Sequence, residues 1–269
     1  MFDTASQAWE HIIQLLLQHG YPMESRDGDC VEVLANQLIL TDPADCWAAT
    51  RNPNFRYACG ELFWYLSGSN SLEQIAHYAK GYRKYSDDNR VLNGAYGPSI
   101  RYGIVEVVSM LKRDPDSRRV VLPIYNMTNL NQESKDIPCS LSLQFLARAN
   151  GLNMVTTMRS NDAWLGFPYD LFCFATIQCI VASYAELDLG TYVHQVGSLH
   201  LYDRNRENVA MTEPGDTRLI PMEDLSDRDI LQDLELACAL ERDLRFGIDI
   251  DLDDYDLPEI WRFLLEGVQ

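Results

Sequence analysis

Residues 168–187 constrain the fold more than any other stretch. They open with Pro168 at an expected first helical position and are apolar on nearly every face. Such a helix belongs in the middle of a core, and the sequence around it is patterned for β-structure. Leu141, Leu143 and Phe145 alternate on one side of a reversal, and Leu152, Met154, Thr156 and Met158 alternate on the other. The two runs meet at Asn150-Gly151, a dipeptide that favours a type I′ hairpin. A further strand is expected over 191–202, after the helix.

Upstream, Trp9, Ile12, Ile13, Leu16 and Leu17 recur at helical spacing between possible caps at Asp3 or Thr4 and a stop at Gly20. Residues 31–41 read as a strand, 59–67 as part of a buried helix closed by Gly68, and 119–126 as β-rich. Downstream, the chain from about 212 is rich in Asp and Glu, with helical periodicity over 228–240 and an acidic run at 249–256. Charge runs are usually solvated, so this region is expected to form a solvated face or arm. No repeat, low-complexity tract or linker divides residues 1–269, and strands grouped around helices make a single α+β domain the expected class.

A net charge of -18 argues against nucleic acid as a partner, because polyanion binding depends on neutralising phosphates with Lys and Arg. Any phosphate bound here must meet a local arginine cluster. The seven cysteines include no C-x-x-C pair, which suggests neither a disulfide framework nor a metal site. The sequence shows no membrane-length apolar run and no signal-peptide pattern, and a cytoplasmic location is expected.

Four clusters carry residues of the kinds that do chemistry. Cys139, in Asp136-Ile-Pro-Cys139-Ser140, precedes a strand, but a lone cysteine is most often a small buried hydrophobe. Arg118 and Arg119 precede an apolar strand. With Arg159 and Ser160 they would make a rational dianion site, since arginine forks grip phosphate oxygens bidentately. Asp170 stands near a helix start, where a carboxylate ordinarily complements the helix dipole. His200 and Tyr202 share one strand face, as a satisfied core pair often does.

In this order and at these spacings, the clusters resemble the thymidylate synthase superfamily. The resemblance runs from Pro138-Cys139 through Arg159-Ser160-Asn161-Asp162-Ala-Trp-Leu-Gly166-Phe-Pro168 to His200-Leu-Tyr202. Upstream it takes in Arg118-Arg119, Asn93-Gly-Ala-Tyr96-Gly97 and Gly60-Glu61-Leu-Phe-Trp64, and it covers roughly residues 20–205. It implies a mixed β-sheet packed with helices, a homodimer formed sheet to sheet, and folate-dependent transfer of one carbon to C5 of a pyrimidine nucleoside monophosphate. Cys139, as thiolate, would add to C6 of the base, with nearby arginines lowering its pKa. Glu61, helped by Tyr96, would organise water and move protons. Arg118 and Arg119 would cross the dimer interface to join the partner's Arg26, Arg159 and Ser160 around the phosphate. His200 and Tyr202 would hold the 3′-hydroxyl, and Asn161 falls among the substrate-binding residues. Asp162 and Gly166 would meet the co-substrate 5,10-methylenetetrahydrofolate; no metal is implied.

Asp170 departs from the family pattern, which carries Asn there in the enzymes that take dUMP. Uracil offers an N3–H donor and an O4 acceptor, which an amide matches. Cytosine offers a bare N3 and an N4 donor, and once the thiolate has added at C6 and N3 is protonated, that edge becomes two parallel donors. A carboxylate can accept both, and a protonated carboxyl could supply the N3 proton. Against uracil the carboxylate would face O4 acceptor to acceptor. Asp170 therefore predicts cytosine, and its surroundings resemble the deoxycytidylate hydroxymethylases, in which water attacks the exocyclic methylene. The C-terminal segment Leu257-Pro258-Glu-Ile-Trp261 also differs from the short apolar tail that closes over the folate in thymidylate synthases. The alternatives are dCMP methylation, CMP hydroxymethylation, dUMP methylation and a non-catalytic nucleotide binder. A zinc deaminase is disfavoured because H-x-E and P-C-x-x-C are both missing.

Overall fold

The N-terminal apolar stripe folds as α1 (Ala5–His19), started by Thr4, whose hydroxyl accepts the Gln7 N–H at 3.2 Å. Trp9, Ile12, Ile13 and Leu16 are buried, whereas Leu17 lies off the stripe, 47 % exposed. In the computed structural model, which describes residues 1–269, six strands follow: β1 (Tyr21–Ser25), β2 (Gly28–Leu40), β3 (Val121–Pro123), β4 (Ser140–Arg148), β5 (Gly151–Asp162) and β6 (Leu189–Tyr202). They form one sheet in the order β1-β2-β6-β5-β4-β3, in which only β5 and β6 run parallel. The helices are α2 (Phe55–Leu66), α3 (Leu72–Tyr78), α4 (Gly97–Arg113), α5 (Met127–Leu130), α6 (Phe167–Ala185), α7 (Arg206–Met211), α8 (Ile230–Arg245) and α9 (Glu259–Val268). The architecture is the α+β class expected, with a mixed sheet.

The single parallel pair requires a crossover, and α6 provides it between β5 and β6. Every residue of α6 is buried, as its lack of a polar face demands. No helix is long and apolar enough to cross a membrane.

Three expectations need correction. The β4–β5 reversal falls on Ala149-Asn150, neither with positive φ, and Gly151 takes φ +105°. It is therefore not a type I′ turn, which needs positive φ at both central residues. A Cβ on Gly151 would come 2.5 Å from the Asp188 carbonyl oxygen, so glycine is required one residue later than expected. The β-rich stretch 119–126 yields only the short edge strand β3, ending at Pro123, which has no N–H to extend a ladder.

The third correction concerns the acidic region. The run 249–256 is largely exposed, but the region is not an arm. Ile230, Leu234, Ala237 and Leu240 of α8 and Ile260, Trp261, Leu264, Leu265 and Val268 of α9 are buried in the main core. Buried acids are paired: Asp233 takes Arg228 at 2.7 Å and the Tyr184 hydroxyl at 2.6 Å, and Glu241 takes Arg245 at 2.9 Å. Trp261, fully buried, donates its indole N–H to the Tyr184 oxygen at 2.8 Å. Trp261→Ala should destabilise the fold by about 3–5 kcal/mol, read as a denaturant midpoint shift; a loss under about 1 kcal/mol would mean that α9 is an appendage.

The sheet also bends at one level. The pairing register between strands lapses side by side at Ala35 in β2, Gly197 in β6 and Arg159 in β5. Ala35 has φ +53°, and a Cβ on Gly197 would come 2.8 Å from the Arg159 carbonyl oxygen. Below this level the even-numbered residues Met154, Thr156 and Met158 of β5, and Tyr192, His194 and Val196 of β6, are buried. Beyond it, Asn161, Leu199 and Leu201 are buried instead, which turns Ser160, Asp162, His200 and Tyr202 toward the opposite, half-buried face.

Candidate active site

Cys139 sits at the end of a loop immediately before β4, and Arg159 of β5 holds that loop. The Arg159 backbone N–H donates to the Cys139 carbonyl at 2.8 Å, while its Nε and Nη2 donate to the carbonyls of Pro138 and Ile137 at 2.8 and 2.9 Å. Asp136 anchors the other end by accepting the Gly94 N–H at 2.7 Å. Burial pushes the Cys139 thiol up to about 11; Arg159 pulls it down, while Asp170 and Asp136 push it further up. Arg159 thus acts in the direction expected of a neighbouring arginine, but the net shift within the single chain is upward. Desolvation outweighs one guanidinium whose N–H groups are already engaged by backbone carbonyls.

Glu61 lies on α2, buried, and accepts the hydroxyls of Tyr57 at 2.8 Å and of Tyr82. Burial raises its pKa, and these phenols, with Tyr65, oppose the rise. Tyr96, at the start of α4, is buried against Tyr65 and Phe174, with ring centroids at 5.1 and 6.0 Å. The Tyr96 phenol is held well above its ordinary range by burial and by the charges of Asp170, Cys139 and Glu61.

Asp170, in the first turn of α6 and 9 % exposed, is raised well above the usual carboxylate range by burial and by Glu61. Its Oδ2 accepts the Asn161 amide N–H at 2.7 Å, the one hydrogen bond its side chain makes within the protein, so Oδ1 has no protein partner. Gly166 caps α6 at this point, and a Cβ there would come 2.8 Å from Asn161 Nδ2 and 3.3 Å from Asp170 Oδ2. Close approach of these polar groups is thus a sufficient reason for glycine. Cys139, Glu61, Tyr96 and Asp170 therefore form one electrostatically coupled group.

The remaining residues lie around it. His200 and Tyr202 meet edge to face at 5.1 Å on the half-buried face of β6, and Arg204 covers the Tyr202 ring at 3.9 Å. Asp162 Oδ1 accepts the backbone N–H groups of Trp164 and Leu165 at 2.8 and 3.2 Å, shaping the turn into α6, while its Oδ2 remains free. Ser160 is half-buried beside Ser198. Arg26, at the tip of the β1–β2 hairpin, and Arg118 and Arg119, before β3, are exposed and form no ion pair within the chain. No hydrogen bond or ion pair within the chain joins the side chains of Arg118 and Arg119 to the Arg159 loop.

The family model described as thymidylate synthase matches residues 7–245. The chain belongs to the thymidylate synthase family. Within the family, it is 32% identical over 217 residues to the deoxyuridylate hydroxymethyltransferase of Bacillus phage SP01, covering 73% of this chain and 57% of that relative. The chain thus spans little more than half the length of that curated protein. The solved thymidylate synthase of T4 phage superposes with a TM-score of 0.70 at 22% identity, covering 87% of this chain and 91% of the other. Thymidylate synthase A of Bacillus subtilis superposes at 0.66 and 20% identity, covering 79% and 86%. These likenesses show the thymidylate synthase fold.

Sequence reading missed two groups of residues: Tyr57 and Tyr82, which hold Glu61, and Tyr192 and His194, which lie behind Asn161. Tyr57 stands one helical turn before Glu61, a readable spacing. Tyr192 and His194 share the i, i+2 spacing of His200 and Tyr202, but nothing in the sequence indicates that the bend puts the two pairs on opposite faces.

Proposed function

We propose that this protein transfers a one-carbon unit from 5,10-methylenetetrahydrofolate to C5 of a cytosine nucleotide, converting dCMP to 5-hydroxymethyl-dCMP. Family membership and the hydroxymethyltransferase relative support the reaction class. The observation that carries the choice of base is Asp170: a buried carboxyl with an elevated pKa and one oxygen free, electrostatically coupled to Cys139 and Glu61.

Cys139 adds as thiolate to C6 of the pyrimidine, and the electron density released moves toward N3 and C5. Asp170 in its protonated form supplies the proton at N3, then accepts from N3–H and N4–H as carboxylate. C5 captures the folate's methylene carbon as its bond to one folate nitrogen opens, and its bond to the second nitrogen breaks when the C5 proton is removed, releasing tetrahydrofolate and leaving an exocyclic methylene. Glu61, held by two phenols, organises water and removes the C5 proton. Water adds to the exocyclic methylene, N3 returns its proton to Asp170, and loss of the C6–S bond restores the C5=C6 double bond and frees the thiolate, giving 5-hydroxymethyl nucleotide beside the released tetrahydrofolate. Asp162, with a free Oδ2, and Leu165, 49 % exposed beside it, offer the polar and apolar contacts a pterin ring takes. His200 and Tyr202 bind the sugar 3′-hydroxyl. In a two-fold dimer, Arg118 and Arg119 complete the phosphate site of the partner with Arg26, Arg159 and Ser160, and their charges bring the Cys139 thiol down.

The deoxyuridylate relative favours uracil as the second reading. Absorbance at the dihydrofolate band during turnover of dCMP tests the fate of the methylene: hydroxymethylation leaves the band flat, and a rise matching product would establish methylation.

A further inference from the structure

Behind Asp170 a hydrogen-bond chain runs into the core without reaching solvent. Asn161 Nδ2 donates to Asp170 Oδ2 at 2.7 Å, Asn161 Oδ1 lies 3.0 Å from His194 Nε2, and His194 Nδ1 lies 2.8 Å from the Tyr192 hydroxyl. His194 and Tyr192 are fully buried and Asn161 is 3 % exposed. Phe167 of α6 packs edge-on against the imidazole at 5.2 Å.

We infer that His194 is a positioning residue for base selection: its Nε2–H fixes the Asn161 amide, which in turn decides which oxygen of Asp170 meets the base. The inference rests on the assignment of Asp170 as the reader of cytosine. Burial keeps His194 neutral, so the ring carries one N–H. With that N–H at Nε2, Asn161 Oδ1 is occupied as acceptor, Asn161 Nδ2 must face Asp170, and His194 Nδ1 accepts the Tyr192 hydroxyl. Asp170 Oδ2 is thereby held as an acceptor. A proton on Asp170 sits on Oδ1, the oxygen without a protein partner and the one free to give it to N3. If the amide turned over, Asn161 Oδ1 would oppose Oδ2 and draw the proton there, leaving the wrong oxygen toward the base. The amide orientation is therefore a specificity setting, and His194 is the residue that locks it.

The test is equilibrium binding of dCMP and dUMP to the whole protein by titration calorimetry, for the wild type and for His194→Phe, His194→Gln, Tyr192→Phe and Asp170→Asn, with thermal unfolding in parallel. The wild type should bind dCMP at least about 10-fold tighter than dUMP, the discrimination expected from one mismatched buried hydrogen-bonding group. In His194→Phe the ratio should fall to within about 3-fold of unity, while His194→Gln, whose amide nitrogen reaches the Nε2 position, keeps most of it. Adding His194→Phe to Asp170→Asn should change the ratio no further, because one acts through the other. A wild type without cytosine preference overturns the base assignment itself. A wild type with that preference, which His194→Phe retains, overturns only the role of His194. Equal losses in the Phe and Gln variants also overturn it. If His194→Phe does not fold, Tyr192→Phe, which removes one oxygen, carries the decision: a fall of about 3-fold supports the chain, and an unchanged ratio contradicts it.

Discussion

Cys139→Ala is expected to lower nucleotide turnover by at least about 10⁴-fold while leaving nucleotide affinity within a few-fold of the wild type, the pattern of a group whose contribution appears only in the transition state. No other thiol can substitute. Cys30, Cys46, Cys59, Cys173 and Cys179 are buried, and Cys238 lies on α8 beside Arg101, Glu235 and Glu241. Steady-state kinetics with dCMP and methylenetetrahydrofolate, paired with calorimetric titration of dCMP, separate the two quantities. Residual turnover above about one part in a hundred would remove Cys139 from the covalent step. The elevated thiol pKa sharpens this expectation. Because burial holds the thiol up at about 11, alkylation of Cys139 by iodoacetamide should be slow at neutral pH and accelerate as the pH is raised toward that value.

Asp170→Asn has the second large effect, and it acts on specificity and stability in opposite directions. An amide no longer accepts two donors from the cytosine edge, and its N–H suits the O4 acceptor of uracil. The ratio of kcat/KM for dCMP over dUMP should therefore fall by about 10²-fold or more, mostly by loss of dCMP use. Unchanged base preference would remove Asp170 as the reader. Stability should rise. The folded-state pKa of Asp170 lies above its unfolded value, so its favourable contribution is complete below about pH 4, the unfolded value, and is lost as pH rises through the folded value. Replacing it by a neutral amide removes that loss. The gain should be smallest near pH 4 and grow as the pH rises, read as a difference in thermal midpoint between variant and wild type that widens from about pH 4 to about pH 8. A variant that loses specificity and gains stability is the signature of a strained functional group; one that loses both would point to a structural carboxylate.

The sequence carried much of the fold because its periodicities are pure. The α6 stretch has no polar face, β5 and β6 alternate over long runs, and the family motif names the loop, the strand and the helix start that meet at Cys139. What it did not carry has identifiable causes. At the β4–β5 turn, an Asn-Gly pair is compatible with more than one reversal, and contact of Gly151 with Asp188 chooses the one with glycine outside the two-residue turn. In the C-terminal region, acidic residues on the exposed sides of α8 and α9 mask apolar stripes that the core takes up, and even Asp233 and Glu241 enter it because Arg228 and Arg245 pair with them. At the site, the bend at Ala35, Gly197 and Arg159 reverses which residues of β5 and β6 face inward. His200 and Tyr202 could be read as a pair, while Tyr192 and His194, at the same spacing on the same strand, could not be placed behind Asn161. Arg118 and Arg119 are a different case: they are exposed and unpaired in the single chain, so the phosphate role proposed for them rests on the proposed dimer.

The most direct measurement is the mass of the nucleotide recovered after incubation with 5,10-methylenetetrahydrofolate, with dCMP, CMP and dUMP supplied in parallel. A hydroxymethyl group gained by dCMP in preference to the other two is the result predicted by Asp170 and its neighbours. A hydroxymethyl or methyl group gained by dUMP with dCMP unchanged would contradict the cytosine assignment.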